Sequence, residues 1–308
     1  MNTISLTYFP EVRSFYDVKG RDALRFLQGM CTADLKRALG GTCYGYFLNL
    51  KGKPLAPTVF YAMSETHILL SLPEISGAST KAALEKYVVA DDVEIIENPN
   101  LKCFQIIESH GLSPSVSELE IAHPVPGALD RVFSVVSING GYRIARGLLN
   151  SSHEELWLNS EKDLPPNSKL LNDAEYESVR IAAGIPKWRK DFFEDSFLLE
   201  FPTQESISYH KGCYLGQEVV ARTVYRGHVT RAFCRFESES PLKEDFIYMQ
   251  SDTERPIGKI TSTSGNTALG LARVVAFDSD VKTPLFQKNE KQEQQALKIS
   301  KVLIPYEK

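Results

Sequence analysis

The sequence predicts an α+β protein that ends in a small all-β part. Three observations carry that prediction. Short runs of strand-like residues are interrupted by a few helical stretches, the pattern of α+β layers rather than of a doubly wound parallel sheet. Neither G-x-G-x-x-G nor a Walker A sequence occurs, so a nucleotide-binding α/β core is unsupported. From about residue 226 the helical stretches stop, and short strands alternate with turn-rich pieces as in a barrel or sandwich. A chain of 308 residues exceeds the usual single-domain size, and the expected division is 1–225 and 226–308.

The elements follow in order. Residues 20–29 read as a short amphipathic helix with Leu24, Phe26 and Leu27 on its apolar side and Gly29 as its stop. Tyr44 to Leu50, a tight turn at Lys51-Gly52-Lys53, and Leu55 to Met63 form a β-hairpin. His67 to Leu72 is a further strand, and Ala78 to Val89 has helical spacing. Val93 to Ile96, Lys102 to Ile107, Arg131 to Ser137, Tyr142 to Leu149 and Glu155 to Leu158 read as strands. Asp173 to Ala183 reads as a helix, stopped by Gly184 with Pro186 beyond. In the C-terminal part the expected strands are His228 to Phe236, Phe246 to Gln250, Ile257 to Thr263, Ala268 to Val275 and Ala296 to Ile304. Residues 287–295, rich in Lys, Glu and Gln, read as an exposed hairpin loop.

Composition narrows the function classes. A net charge of −4 leaves no global basic footprint for nucleic acid or an anionic membrane. The five cysteines, Cys31, Cys43, Cys103, Cys213 and Cys234, are widely spaced with no C-x-x-C pair. That argues against a disulfide framework and a zinc ribbon, and suits a reducing compartment; no metal site is expected. Cys31 and Cys43 flank a helix-to-strand connection as small core residues. The first residues lack a basic region followed by a long apolar run, and no stretch is long and apolar enough for a membrane helix. A cytoplasmic protein is the expectation.

Residues 211–218 read Lys-Gly-Cys-Tyr-Leu-Gly-Gln-Glu. The octapeptide sets one thiol, Cys213, between two glycines, beside Lys211, with Glu218 five residues on. Glycines let the backbone turn sharply and approach another chain segment closely. A cation favours the thiolate, the reactive form, and a close carboxylate opposes it. Two readings stand side by side: a reactive thiol, and a buried structural cysteine in a strand-to-helix turn. Gln217 and Glu218 could orient Cys213 or close the turn. His210 and His228 are potential proton carriers but more ordinary as structural residues. Residues 209–235 also hold Lys211, Arg222, Arg226, Arg231 and Arg235 against the single Glu218. Such a patch suits a polyglutamate tail, a phosphate backbone or an acidic partner. Arg231 and Arg235 also fit an ordinary barrel face, and Arg222 and Arg226 are the better functional candidates.

The octapeptide continues as Val-Val-Ala-Arg-Thr-Val-Tyr-Arg-Gly-His over 219–228. Together these resemble the signature of the YgfZ folate-binding family, relatives of the aminomethyltransferase (T-protein) of the glycine cleavage system. Further pieces match in order: the 20–29 helix with Thr32 and Asp34, Asn49-Leu-Lys-Gly-Lys, residues 179–186, 201–205, 258–262 and 270–273. The resemblance implies ferredoxin-like pieces around a central hole that holds a folate, followed by a six-stranded barrel. It implies tetrahydrofolate or a derivative as cofactor. It also implies a role in maturation or repair of iron–sulfur enzymes or in tRNA modification, with iron–sulfur proteins or a tRNA-modifying enzyme as clients. Direct nucleic-acid binding is left open, and no membrane partner is implied.

The resemblance also assigns residues, and two departures limit it. Tyr176 matches a folate-site Trp and becomes a candidate stacking residue, against the alternative of a tyrosine on a core-facing side of its helix. Arg180 meets a ligand carboxylate or pairs with a nearby Glu. With Gln217, Arg222 and Arg226 these are the candidate folate-binding residues; Cys213, Lys211 and Glu218 are the candidate catalytic ones. Where aminomethyltransferases carry a catalytic Asp pair, this chain has Ala56 and Pro57, neither of which can accept a proton. Where they carry a pterin-gripping Glu, this chain has Ala182. The alternatives to an accessory factor are therefore a one-carbon transferase with another base, and a module that binds tRNA or a partner protein. One cysteine does not fill the ligand set of a cluster, so further ligands would come from outside the chain.

Overall fold

The computed structural model describes residues 5–110, 132–148, 151–203, 206–277, 284–288 and 293–302. The chain forms two compact units: Met1–Asn172 with Gln204–Val219, and Asp173–Thr203 with Val220–Lys308. The backbone passes between them three times, and Asp173–Thr203 belongs with the barrel.

The first unit holds two sheets. Strands β1 (Ser5–Glu11), β2 (Arg13–Lys19), β3 (Thr42–Leu48), β4 (Pro54–Ser64), β5 (His67–Pro73), β6 (Glu94–Glu97), β7 (Lys102–His110), β8 (Val135–Ile138), β9 (Gly141–Leu148), β10 (Ser151–Leu158) and β11 (Lys169–Leu170) pair in two orders. One is β3-β4-β5-β2-β6, the other β11-β1-β7-β10-β9-β8. Phe15 and Trp157, both fully buried, meet edge to face at 5.2 Å and join β2 to β10. Helix α1 (Ala23–Met30) buries Ala23, Leu24, Phe26, Leu27 and Met30 against the five-stranded sheet.

Helix α2 (Glu74–Glu85) starts four residues before the expected 78–89 stretch. Pro73 precedes it with φ −53°, a conformation suited to a helix start. Gly77 stands inside the helix because a Cβ there would come within 2.9 Å of Ser14 and the Tyr16 hydroxyl. Strands β1 and β2 were not expected from sequence: Pro10 interrupts the first, and the intervening Val12 is exposed.

The second unit contains α3 (Asp173–Ala183), where the spacing predicts it, and a closed barrel. The barrel order is β12-β15-β14-β13-β16-β17, from β12 (Arg231–Glu237), β13 (Phe246–Met249), β14 (Gly258–Ser264), β15 (Thr267–Arg273), β16 (Leu285–Lys288) and β17 (Gln294–Val302). The expected loop at 287–295 is corrected. Gln287 and Lys288 finish β16, Gln294 and Gln295 begin β17, and 289–292 lie outside the described residues. Gln287 is buried, and its amide donates to the carbonyls of Lys243 and Asp245, so a polar residue sits inside without an unmade bond. Arg131, Leu149, residues 204–205 and 303–304, which fall in other expected strands and motifs, also lie outside the described residues.

Candidate functional site

The octapeptide forms a pinned loop in the first unit that leads into helix α4 (Gln217–Arg226). Gln217 N–H donates to Tyr214 O at 3.2 Å and closes a tight turn. Gly216, its third residue, has φ +80°, a conformation that excludes most side chains. Gln217 Oε1 accepts from Tyr214 N–H at 3.1 Å, so the Gln217 side chain locks the same turn. Of its possible roles, turn closure is the one its amide oxygen fills.

Four attachments tie the loop to the end of α1. Leu215 N–H donates to Gly29 O at 3.0 Å, and Ser208 N–H to Thr32 O at 2.9 Å. Thr32 Oγ1 donates to Ser206 O and accepts from Tyr46 N–H, which adds β3 to the junction. The Lys211 ammonium donates to Cys31 O at 2.9 Å and Ala33 O at 2.6 Å, and lies 5.3 Å from the centre of the Tyr214 ring. Carbonyls just past a helix C-terminus carry partial negative charge, which favours a cation there. Lys211, expected as the cation that activates Cys213, has its ammonium fixed on these carbonyls.

The loop also docks on the β3–β4 turn. Asn49 Oδ1 accepts from the N–H groups of Lys51 and Lys53 and shapes that turn. A Cβ on Gly216 would fall 2.5 Å from Asn49 O, and one on Gly52 2.8 Å from the Val219 side chain. Both motifs need their glycines because two backbones touch. Asn49 and Gln28 are the residues whose roles the sequence reading left unassigned: Gln28 donates to Asp34 Oδ1 and accepts from Leu35 N–H, which holds the 31–35 bend under Lys211.

Cys213 is exposed, whereas Cys31, Cys43, Cys103 and Cys234 are buried. That removes the buried-cysteine reading of the octapeptide. Gly212 beside it has open space around its Cα, and Glu218 is exposed. The buried Tyr214 beneath has its hydroxyl pushed well above the ordinary tyrosine range by burial. Burial likewise raises the Cys31 thiol and pushes the Cys234 thiol up to about 12.

The remaining candidates belong to the second unit. Arg180 is 2% exposed, and all five of its N–H groups have partners. They are Glu177, Asp191 Oδ2, Ile185 O and Ser262 Oγ. Asp191 in turn accepts from Thr261, Ser262 and the Lys187 N–H. Of its two expected roles, Arg180 fills the structural one, fastening α3 to β14. Burial opposes ionisation of Glu177, yet Arg180 and Lys187 hold its carboxyl down at about 2. Tyr176 is half-buried on the same helix; Arg222 and Arg226 are exposed on α4, together with Tyr225. Arg231 and Arg235 behave as barrel residues: Arg231 grips Glu200 with two hydrogen bonds, and Arg235 bonds Ser300 Oγ and Ala182 O.

The two departures have clear structural settings. Ala56 is fully buried on β4 opposite Phe47, and the buried Pro57 pairs with Tyr46. A proton acceptor is absent from both side chains, and the strand that would present it is packed core. Ala182 is exposed at the end of α3. Among the described residues one group of possible metal ligands occurs, Glu11, Cys103 and Glu155, within 4.8 Å of one another. Gln105 and Trp157 donate to Glu155, and Arg13 pairs with Glu11, so hydrogen bonds inside the protein already serve these carboxylates.

No protein-family model matches the chain. A solved structure of the glycine cleavage system aminomethyltransferase T from Bartonella henselae superposes with a TM-score of 0.76 at 17% identity. That match covers 98% of this chain and 87% of that one, and it shows the aminomethyltransferase fold. The iron–sulfur cluster assembly factor IBA57 of Mus musculus mitochondria is 24% identical over 284 residues, 85% of this chain and 75% of its own. The tRNA-modifying protein YgfZ of Colwellia psychrerythraea is 27% identical over 252 residues, 78% of this chain and 75% of its own. The chain is thus similar in sequence to relatives named for iron–sulfur cluster assembly and for tRNA modification, and it shares the aminomethyltransferase fold. The scaffold is shared with that aminomethyltransferase, while this chain carries the buried Ala56 and Pro57 on β4.

Proposed function

We propose that this chain is a folate-binding accessory protein for the maturation or repair of iron–sulfur proteins, with Cys213 as its reactive or cluster-contacting group. The observation that carries the reading is the presentation of Cys213. It is the one exposed thiol of five, on a loop held to α1 and to the β3–β4 turn. A loop so fixed holds a thiol in a set position without burying it. Relatives named as iron–sulfur cluster assembly factors support the client class, and the relative named as a tRNA-modifying protein supports a tRNA-modifying enzyme among the clients. Five cysteines without a disulfide suit a reducing compartment such as the cytoplasm. No helix among the described residues is long and apolar enough to cross a membrane.

The folate in this reading is tetrahydrofolate or a derivative. Tyr176 would supply an aromatic surface for the pterin, and Arg222 and Arg226 cations for the glutamate tail. Arg180 drops out of the set because its donors are engaged.

The test is complementation of a strain lacking the protein, read as activity of a [4Fe–4S] enzyme. The expected result is rescue by the wild-type chain and none by C213S. Full rescue by C213S would remove the thiol from the mechanism. Calorimetric titration with tetrahydrofolate tests the ligand: micromolar binding weakened in Y176A is expected, and absence of binding would separate the scaffold from the cofactor.

The fold match favours a second reading, a one-carbon transferase with a different base. The buried Ala56 and Pro57 count against it. Release of methylene-tetrahydrofolate from an aminomethylated carrier protein would support that reading.

A further inference from the structure

A polar cleft lies in the first unit, at the opposite end of β4 from the cysteine loop. From Pro54, beside the docked turn, to Met63, which lines the cleft, the strand runs about 30 Å at roughly 3.3 Å per residue. The cleft is about 420 Å³ and is walled by β2 and β5 on one side and the β8–β9 hairpin on the other. That volume is within the range of small-molecule sites, roughly 300–1,000 Å³.

Its floor is a built hydrogen-bond chain. Asp17 is hydrogen-bonded through one carboxylate oxygen to His67 Nε2 and through the other to Asn98 Nδ2 at 2.9 Å. The carboxylate is thus occupied on both oxygens, and it fixes Nε2 of His67 as the protonated nitrogen. His67 Nδ1 is left as an acceptor, and the imidazole has no other partner among the described residues. The Tyr142 hydroxyl and the Asn159 side-chain amide, on residues that also line the cleft, likewise have no hydrogen-bond partner among them. Among the described residues no Lys or Arg lines the cleft, and the one carboxylate there, Asp17, is already paired. A phosphate or carboxylate ligand would find no fixed cation there, whereas an uncharged ligand meets donors, acceptors and the apolar side chains of Leu69 and Leu101.

We propose that this cleft binds an uncharged small molecule that donates an O–H or N–H to His67 Nδ1. The site does not depend on the folate or iron–sulfur reading. A nucleoside and a free sugar share this chemistry, and the test distinguishes them.

The full-length protein, labelled with ¹⁵N-histidine, is titrated by NMR at pH 8 with adenosine and separately with glucose, and H67Q identifies the His67 signals. Expected are the Nε2–H tautomer, a saturable shift of Nδ1 with at least one compound at millimolar concentration, and at least threefold weaker binding of its phosphorylated counterpart. A response to adenosine alone assigns a base-bearing ligand, and a response to glucose assigns sugar hydroxyls. An Nδ1–H tautomer, no shift with either compound, or equal or tighter binding of the phosphorylated form would overturn the proposal. D17N, which keeps the shape but loosens the imidazole, is expected to weaken the response and retain the fold.

Discussion

Gly52 and Gly216 face each other across the contact between the β3–β4 turn and the cysteine loop. A Cβ on Gly52 would lie 3.2 Å from Gly216 O, and one on Gly216 would lie 3.3 Å from Gly52 Cα. Both have positive φ, +69° and +80°. G216A therefore meets two costs, left-handed backbone and the Asn49 carbonyl at 2.5 Å. A loss of at least about 1 kcal/mol is expected. G212A is the control: nothing lies within 4 Å of its Cβ, and a change within about 0.5 kcal/mol is expected. Chemical denaturation of the two variants checks this, and equal stability would mean that the docked geometry does not matter.

Lys211 holds the other side of the loop. K211M removes a charged donor from two carbonyls at 2.9 and 2.6 Å. The expected loss is about 1–3 kcal/mol, with faster proteolysis within 206–218. A variant as stable as wild type with reduced complementation would instead restore Lys211 to a direct role at Cys213.

Much of this site was legible in the sequence, because its constraints are local. Glycines at 52 and 216 and Asn49 before a Lys-Gly-Lys turn announce tight backbone, whereas Gly212 carries no such constraint, and α1, α3 and the first hairpin have clear periodicity. Distant pairings were not legible. The partners of Arg180 include Asp191 and Ser262, residues 11 and 82 positions away, and no local pattern marks them. Strand β16 was hidden by its own composition, since Gln287 looks like a loop residue until its amide finds backbone carbonyls inside the barrel. The Asp17–His67 pair was invisible for the same reason: its members are 50 positions apart on β2 and β5.

Burial separates the thiols in reactivity. In the native protein at neutral pH, iodoacetamide is expected to modify Cys213 and leave the other four largely unmodified, because they are buried and burial raises the Cys31 and Cys234 thiols. Intact-mass measurement should show one addition in the native state and five in denaturant, and none in native C213S. Comparable labelling of Cys31 in the native state would mean that the anchors under Lys211 open readily.

The Arg180 network gives the second unit an acid-sensitive element. Glu177 is held at about 2 against 4.5 for the free side chain. A depressed carboxyl contributes stability that is fully present above pH about 4.5 and is lost as pH falls through the native value. The contribution is roughly 2 kcal/mol after allowance for partial exposure. The unfolding midpoint in urea should therefore decline between pH 5 and pH 2, and E177Q should flatten that decline while lowering stability at pH 7. R180A is the more severe change, because it leaves the fully buried carboxylate of Asp191 without its cation. A loss of about 3–5 kcal/mol is expected. If E177Q left the acid slope unchanged, the pH dependence would reside in other carboxylates and Arg180 would depend chiefly on Asp191.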